Sequence, residues 1–164
     1  SKCQYFHNNM TDNESVDIFD GLLRKFNLLN DGKNSIFAED IINSLYTITV
    51  EMRIKCKDVL YRVHDVLNSD DDGDALDRII DGIFHNKISW ARIFVTLALM
   101  IEVLEKSFET IVRFKQYYDI FLNILKKRIH PWIITNGFWV TKLILTDIIY
   151  FNYRYKLYDS IRPS

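Results

Sequence analysis

Glycine and proline are scarce: five and two in 164 residues, with both prolines, Pro131 and Pro163, late in the chain. So little punctuation excludes a many-turned β fold and favours long helices. Cys3 and Cys56 stand alone, without CxxC spacing, so no disulfide framework is implied and a reducing compartment fits. An excess of one charge is missing as well. The 21 basic side chains meet 22 acidic ones, and the net −1 offers no field to attract nucleic acid or an anionic membrane. No glycine-rich phosphate loop and no histidine pair at metal spacing occurs, and His7, His64, His85 and His130 are scattered. Nucleophile, base and orienter cannot be assembled from any local signature. An enzyme is not expected, nor any cofactor, metal or small-molecule substrate.

Apolar residues are plentiful, at 48%, with 14% aromatic, which excludes disorder and suits a single domain over residues 1–164 with a substantial core. Residues 1–13 are polar and expected to fray. Asn9-Met10-Thr11 and Asn13-Glu14-Ser15 match the glycosylation sequon, but no secretory signal precedes them and they read as chance matches. Ile, Asn, Lys and Tyr are used heavily, a habit of AT-rich genomes such as those of large DNA viruses.

Asp12 or Asn13 can cap a helix running to about Leu29, with Val16, Phe19, Leu22, Leu23 and Phe26 at helical spacing. Asn30-Asp31-Gly32 reads as its stop. Ser35 with Glu39 suggests a capping box for the next helix. From there to Leu67 the apolar positions Leu45, Ile48, Met52, Cys56, Val59, Leu60 and Val63 step by three or four. The stretch is long for one helix, so a break is expected between Arg53 and Asp58.

Asn68, Asp70, Asp72 and Gly73 fall in the register of a calcium-binding EF-hand loop. The eighth and twelfth positions are Ala75 and Ile79, however, so residues 68–75 read as an acidic loop capping the helix that follows. Leu76, Ile79, Ile80, Ile83 and Phe84 give that helix one apolar side. Between Ile88 and Leu104 apolar side chains cover nearly the whole helical circumference, bracketed by Arg92 and Glu102. The run is nearer twelve residues than the roughly twenty a bilayer span needs, so a central helix buried by others is expected. An amphipathic helix over Lys106 to Ile129 follows, with Phe108, Ile111, Val112, Tyr118, Phe121, Leu122 and Leu125 as its stripe and Lys126, Lys127 and Arg128 near its end. His130-Pro131 should force a new segment. Asn136-Gly137 reads as a stop before a last helix carrying Val140, Leu143, Ile144, Ile148, Ile149 and Phe151.

Two tryptophan-centred stretches stand out in this frame. Ser89-Trp90-Ala91-Arg92 opens the all-round apolar helix, and Trp132-Ile133 is followed by Gly137 and Trp139. Together they resemble the first and second homology motifs of the Bcl-2 family, whose signatures are Asn-Trp-Gly-Arg and Trp-Ile-x-x-x-Gly-Gly-Trp. The resemblance keeps its order and spacing from about Val16 to Phe151 and is nearest to the viral, poxvirus-like branch. It implies an all-α, Bcl-2-like bundle of seven or eight helices around a central buried hydrophobic helix.

It also implies a function: inhibition of intrinsic apoptosis by holding the helical death motif of proapoptotic relatives such as Bim, Bax or Bak in a hydrophobic surface groove. Carried over by position, Met52, Cys56, Val59, Leu60 and Val63 form one wall, and Ile79, Ile83, Phe94 and Val95 the other. Arg92 matches the family arginine that pairs with the ligand's aspartate. Trp90, Trp132, Gly137 and Trp139 carry the structural motifs. Outside this context the wall residues read as core, and the tryptophans read as packing anchors within it.

Departures narrow the expectation. Ser89 and Ala91 are expected to face the ligand and to set selectivity. Ser89 stands for the signature Asn with a shorter reach, and Ala91 for the first-motif Gly, where the ligand backbone should approach closely. Phe138 replaces the second Gly of the second motif. The chain's own third motif is eroded. Placed near Leu45 to Met52 it has Val50-Glu51 where Gly-Asp or Asp-Glu belongs; a rival placement, Leu60 to Asp65, leaves too little chain before the next helix. That erosion argues against a killer ligand. The alternative is a Bcl-2-like viral decoy that blocks inflammatory (NF-kappa-B) signalling without a death-motif groove. Tyr150 to Ser164 contains Arg154, Lys156, Asp159 and Arg162, so membrane attachment is expected only through a tail beyond Ser164. Cytoplasmic residence, the mitochondrial outer membrane with such a tail, and a possible homodimer complete the expectations.

Overall fold

A computed structural model describes residues 14–34, 36–69, 73–137 and 139, and among them every regular element is helical. The elements are α1 (Glu14–Lys25), α2 (Ile36–Lys55), α3 (Lys57–Ser69), α4 (Asp74–Phe84), α5 (Trp90–Lys106), α6 (Ile111–Ile124), a π-turn at Leu125–Ile129, and α7 (His130–Thr135). The expected all-α class holds. The caps expected at Asp12, Asn13 and Ser35, and the last helix after Val140, lie outside the described residues.

Backbone contacts divide the chain into two units, one from residues 1–47 and 121–153, the other from 48–120 and 154–164. In the first unit α1 buries Val16, Ile18, Phe19, Leu22 and Leu23. It ends at Lys25, a turn earlier than Asn30-Asp31-Gly32 suggests. Asn27 takes a left-handed φ of 58°, and the amides of Asn27 and Leu28 donate to the carbonyls of Arg24 (3.1 Å) and Leu23 (2.9 Å). That pair of bonds closes a helix end in the Schellman manner, and an Asn tolerates the left-handed turn it needs. Arg24 then ties down the connection: Nη2 donates to Asn34 Oδ1 at 2.7 Å and Nη1 to the Asp31 carbonyl at 2.9 Å.

A new segment does start at His130, as expected, but a π-turn joins it to the helix before it. His130-Pro131 does not break the chain; Pro131 sits in the first turn of α7, and the His130 amide donates to the Leu125 carbonyl, five residues back. Proline has no N–H to give and its ring crowds the carbonyl four residues earlier. A wider turn just before it accommodates both without a loop.

In the second unit the expected break falls at Cys56, between α2 and α3. It is slight, since Cys56 N–H still donates to the Met52 carbonyl at 2.8 Å. Asn68 and Ser69, read above as loop, belong to α3. Among the described residues no acidic side chain caps α4 by a hydrogen bond: its N-cap is Gly73, at φ 82°, with Asp74 and Asp77 in the first turn where their charge suits the helix dipole. A Cβ on Gly73 would come within 2.6 Å of Ile120 Cδ1, the movable end of a side chain, so the left-handed φ is what calls for glycine there.

Helix α5 is buried as its pattern requires. Of its 17 residues thirteen are buried, leaving Arg92, Glu102, Glu105 and Lys106 as the wetter ones. Arg53, near the end of α2, reaches two of these. Its Nη2 donates to Glu102 Oε2 at 2.7 Å and its Nη1 to Glu105 Oε1 at 3.0 Å. Burial alone would lower the arginine's pKa, but the hydrogen bonds to Glu105 and Glu102, helped by their charges, raise it.

Because α5 runs to Lys106 and residues 107–110 turn the corner, α6 starts at Ile111 rather than Lys106. Phe108, Ile111 and Val112, expected on its apolar stripe, are consequently exposed.

Candidate functional site

The corner between α4 and α5 brings together the residues of the first tryptophan motif. Helix α4 ends in two left-handed residues, His85 (φ 46°) and Asn86 (φ 62°), which turn the chain sharply. Ser89, extended at φ −146° and ψ 163°, is the N-cap of α5, its hydroxyl accepting from the Arg92 amide at 3.3 Å. That local bond is the role of a serine at this place, and it occupies the side chain expected to face a ligand.

Arg92 is half-buried one turn on. Its Nη1 donates to the carbonyls of Phe84 and Lys87, each at 2.8 Å. The Phe84 carbonyl, which also accepts from the Lys87 amide at 2.7 Å, is among the last carbonyls of α4, where a cation is favoured. Both Nη1 hydrogens are thereby used. Nε and Nη2 make no hydrogen bond among the described residues, and this is the edge of a guanidinium that holds a carboxylate in parallel bonds.

Around the corner the motif residues pack inward. Trp90 is buried, with its ring centroid 6.0 Å from that of Phe94. Ala91 is buried too, so its methyl group sits in a packed place rather than on an open surface. In the second motif Trp132 is half-buried, and its carbonyl accepts from Thr135 Oγ1 (2.9 Å) and Asn136 Nδ2 (2.8 Å). Gly137 follows at φ 102°, a conformation L side chains rarely take. Trp139 is 1% exposed.

The apolar walls divide. Met52, Cys56, Leu60 and Val63 on one side, and Phe94 and Val95 on the other, are buried. Val59, Ile79 and Ile83 are half-buried. A ligand helix can therefore touch the first six only after whatever covers them moves aside. Burial pushes the Cys56 thiol up to about 11, with Lys55 pulling weakly the other way, so the thiol is inert at neutral pH.

Two features here carry no signal in sequence. Capping of α4 by Arg92 depends on His85 and Asn86 both turning left-handed; these residue types take that turn more readily than most, but two in succession are not announced by the sequence. The Arg53 pair with Glu102 and Glu105 spans 49 and 52 positions. No group of three or more His, Cys, Asp or Glu side chains among the described residues can hold a metal. None of the described helices is long and apolar enough to cross a membrane.

Comparison with known proteins places this geometry. A family model described as "Apoptosis regulator proteins, Bcl-2 family" matches residues 41–139. No match of significance is found among the curated proteins. Among solved structures the chain is similar to the crystal structure of Trichoplax adhaerens trBcl-2L2 bound to trBak BH3, at 16% identity and a TM-score of 0.63, over 87% of this chain and 97% of that one. At that identity the likeness establishes the fold.

Proposed function

Because the chain belongs to the Bcl-2 family of apoptosis regulators, we propose that it inhibits intrinsic apoptosis by holding the helical death motif of a proapoptotic relative between α3 and the α4–α5 corner. Members of this family are regulators rather than enzymes. The observation that carries the reading is the state of Arg92: one edge is fixed on the Phe84 and Lys87 carbonyls, and the Nε and Nη2 edge is left for a ligand carboxylate. Pre-orientation lowers the entropy a flexible side chain would otherwise lose on binding.

The similar structure from Trichoplax adhaerens has a Bak death-motif peptide bound, which supports helices of that class, including those of Bim, Bax and Bak, as ligands here. The eroded third motif supports the inhibitory over the killer role. Heavy use of Ile, Asn, Lys and Tyr supports a viral member of the family, and with it a cytoplasmic or mitochondrial-surface site of action in a host cell. Val59, Ile79, Ile83 and Arg92 make first contact in this reading, and Met52, Cys56, Leu60, Val63, Phe94 and Val95 join once the walls part.

Burial of those six residues is also the observation that favours a second reading, a signalling decoy whose groove never opens. Calorimetric titration with death-motif peptides of Bim, Bax and Bak separates the two. Binding that weakens in Arg92→Ala supports the groove; no heat with any peptide at micromolar concentration leaves the decoy.

A further inference from the structure

Thr49, in the second half of α2, holds the one buried side-chain oxygen or nitrogen among the described residues that has no hydrogen-bond partner. Buried polar groups are paired as a rule, and an orphan costs the closed structure the hydration that its hydroxyl gave up. A threonine inside a helix has a ready outlet, the carbonyl four residues back. Thr47, Thr96 and Thr135 all use it, at 3.2, 2.7 and 3.3 Å. Thr96 does so while buried as fully as Thr49. Depth of burial is therefore not what sets Thr49 apart.

The place of the orphan gives it a consequence. Thr49, Met52 and Cys56 follow one another at steps of three and four, so they share a face of the helix. They are 1%, 0% and 3% exposed. Met52 and Cys56 are two of the wall residues that a ligand helix reaches only once the wall parts. Two effects oppose each other on this face: apolar burial keeps it shut, and the hydroxyl favours opening, where water would pair it. Arg53, on the next turn from Thr49, clasps α5 through Glu102 and Glu105. Those three side chains are 22%, 18% and 35% exposed, so solvent screens the clasp and it restrains the wall only weakly.

We propose that Thr49 is a positioning residue for the groove: its unpartnered hydroxyl destabilises the closed form alone, and so sets how often the α2 wall parts and how tightly a death-motif helix is held. Opening returns the hydroxyl to water and removes the penalty; closing imposes it again. The effect acts on the equilibrium between closed and open forms, and needs no contact between Thr49 and the ligand. A ligand that requires the open form binds in proportion to the population of that form. The part of the inference that concerns affinity rests on the groove reading above; the part that concerns opening does not.

Thr49→Val tests both parts. Valine keeps the branching at Cβ and replaces the hydroxyl by a methyl group, so helix preference hardly changes. Opening is read as the rate at which Ellman's reagent labels Cys56, in a Cys3→Ser background where Cys56 is the only thiol. Thr49→Val should label about tenfold more slowly than the parent and melt at a higher temperature. In calorimetry it should bind the Bim death-motif peptide about tenfold more weakly. Thr49→Ser, which keeps the hydroxyl, should label at least as fast as the parent. A merely structural threonine would move the melt and leave the affinity where it was. The proposal is overturned if Thr49→Val labels as fast as the parent, or if it melts no higher, since the hydroxyl would then have a partner. It is overturned equally if the parent binds the peptide and Thr49→Val binds it as tightly. A parent chain that binds no peptide, with labelling still slowed in Thr49→Val, refutes the groove reading and upholds the control of the wall by Thr49.

Discussion

Trp139 donates its indole N–H to the hydroxyl of Ser15, 124 positions away in sequence and 2.9 Å away in space. The same hydroxyl lies 2.7 Å from His130 Nδ1. All three side chains are buried. The serine accepts from the indole and is also hydrogen-bonded to the imidazole, so one small side chain joins the first turn of α1, the start of α7 and the end of the second tryptophan motif.

Replacing Ser15 with Ala should therefore cost more than a surface serine would. Two buried groups lose a shared partner, and the expected loss is about 1–3 kcal/mol in urea unfolding. A variant as stable as the parent chain would remove the hydroxyl from any role in joining these segments.

Arg53→Met should destabilise by a smaller amount, about 1–2 kcal/mol. Glu102 and Glu105 are only partly buried beside it, with 18% and 35% of their side-chain surface exposed, so solvent screens the pair. Salt discriminates here: the gap between the two chains should narrow as ionic strength rises, and a gap that salt does not touch would assign the loss to packing instead.

Cys56 predicts an alkaline effect. The thiol ionises at its ordinary 9.0 when unfolded and at about 11 when folded, because burial disfavours the thiolate. Between those values the unfolded chain releases a proton that the folded chain keeps. This contribution to stability is thus fully present below about pH 9, falls as pH rises, and levels off near 11. Comparing parent and Cys56→Ala unfolding across that range isolates it from lysine and tyrosine titration. Parallel curves would refute it.

Arg92→Ala should register twice. Without any ligand, loss of the bonds to the Phe84 and Lys87 carbonyls lowers stability by about 1 kcal/mol. With a death-motif peptide the affinity falls by a further 2–5 kcal/mol or so. Arg92→Lys keeps the charge but not the fork, and should recover less than half of the affinity loss. A full recovery would mean that the ligand reads charge alone.

The sequence made the outline of this fold legible where one physical signal dominated. An apolar pattern all round α5 has one economical solution, burial, and a helical stretch as long as 36–67 has to yield somewhere, as it does at Cys56. Turn chemistry was harder to see. Asn27 ends α1 by going left-handed, and it looks like any other asparagine, whereas Asn30-Asp31-Gly32 draws the eye and follows later. Spacing puts Phe108, Ile111 and Val112 on the apolar stripe of α6, but it does not show that the helix begins only at Ile111 and that its first turn stays exposed. At the site, the tryptophan motifs located the α4–α5 corner, but not that Arg92 and Ser89 each hold the backbone there. Those bonds depend on φ angles at His85, Asn86 and Ser89, which composition does not encode.

The π-turn also has a geometric consequence. Phe121, Leu125, Ile129 and Ile133 recur every fourth residue, and each is 0% exposed. In an unbroken α-helix a spacing of four drifts around the axis by about 40° per step, because a turn takes 3.6 residues. Over three steps the row would swing from the interior toward water. The wide turn at Leu125–Ile129 winds back part of that drift. A sequence period too long for the α-helix thus stays in phase with a single buried line, and the irregularity is what lets that side of the helix remain dry.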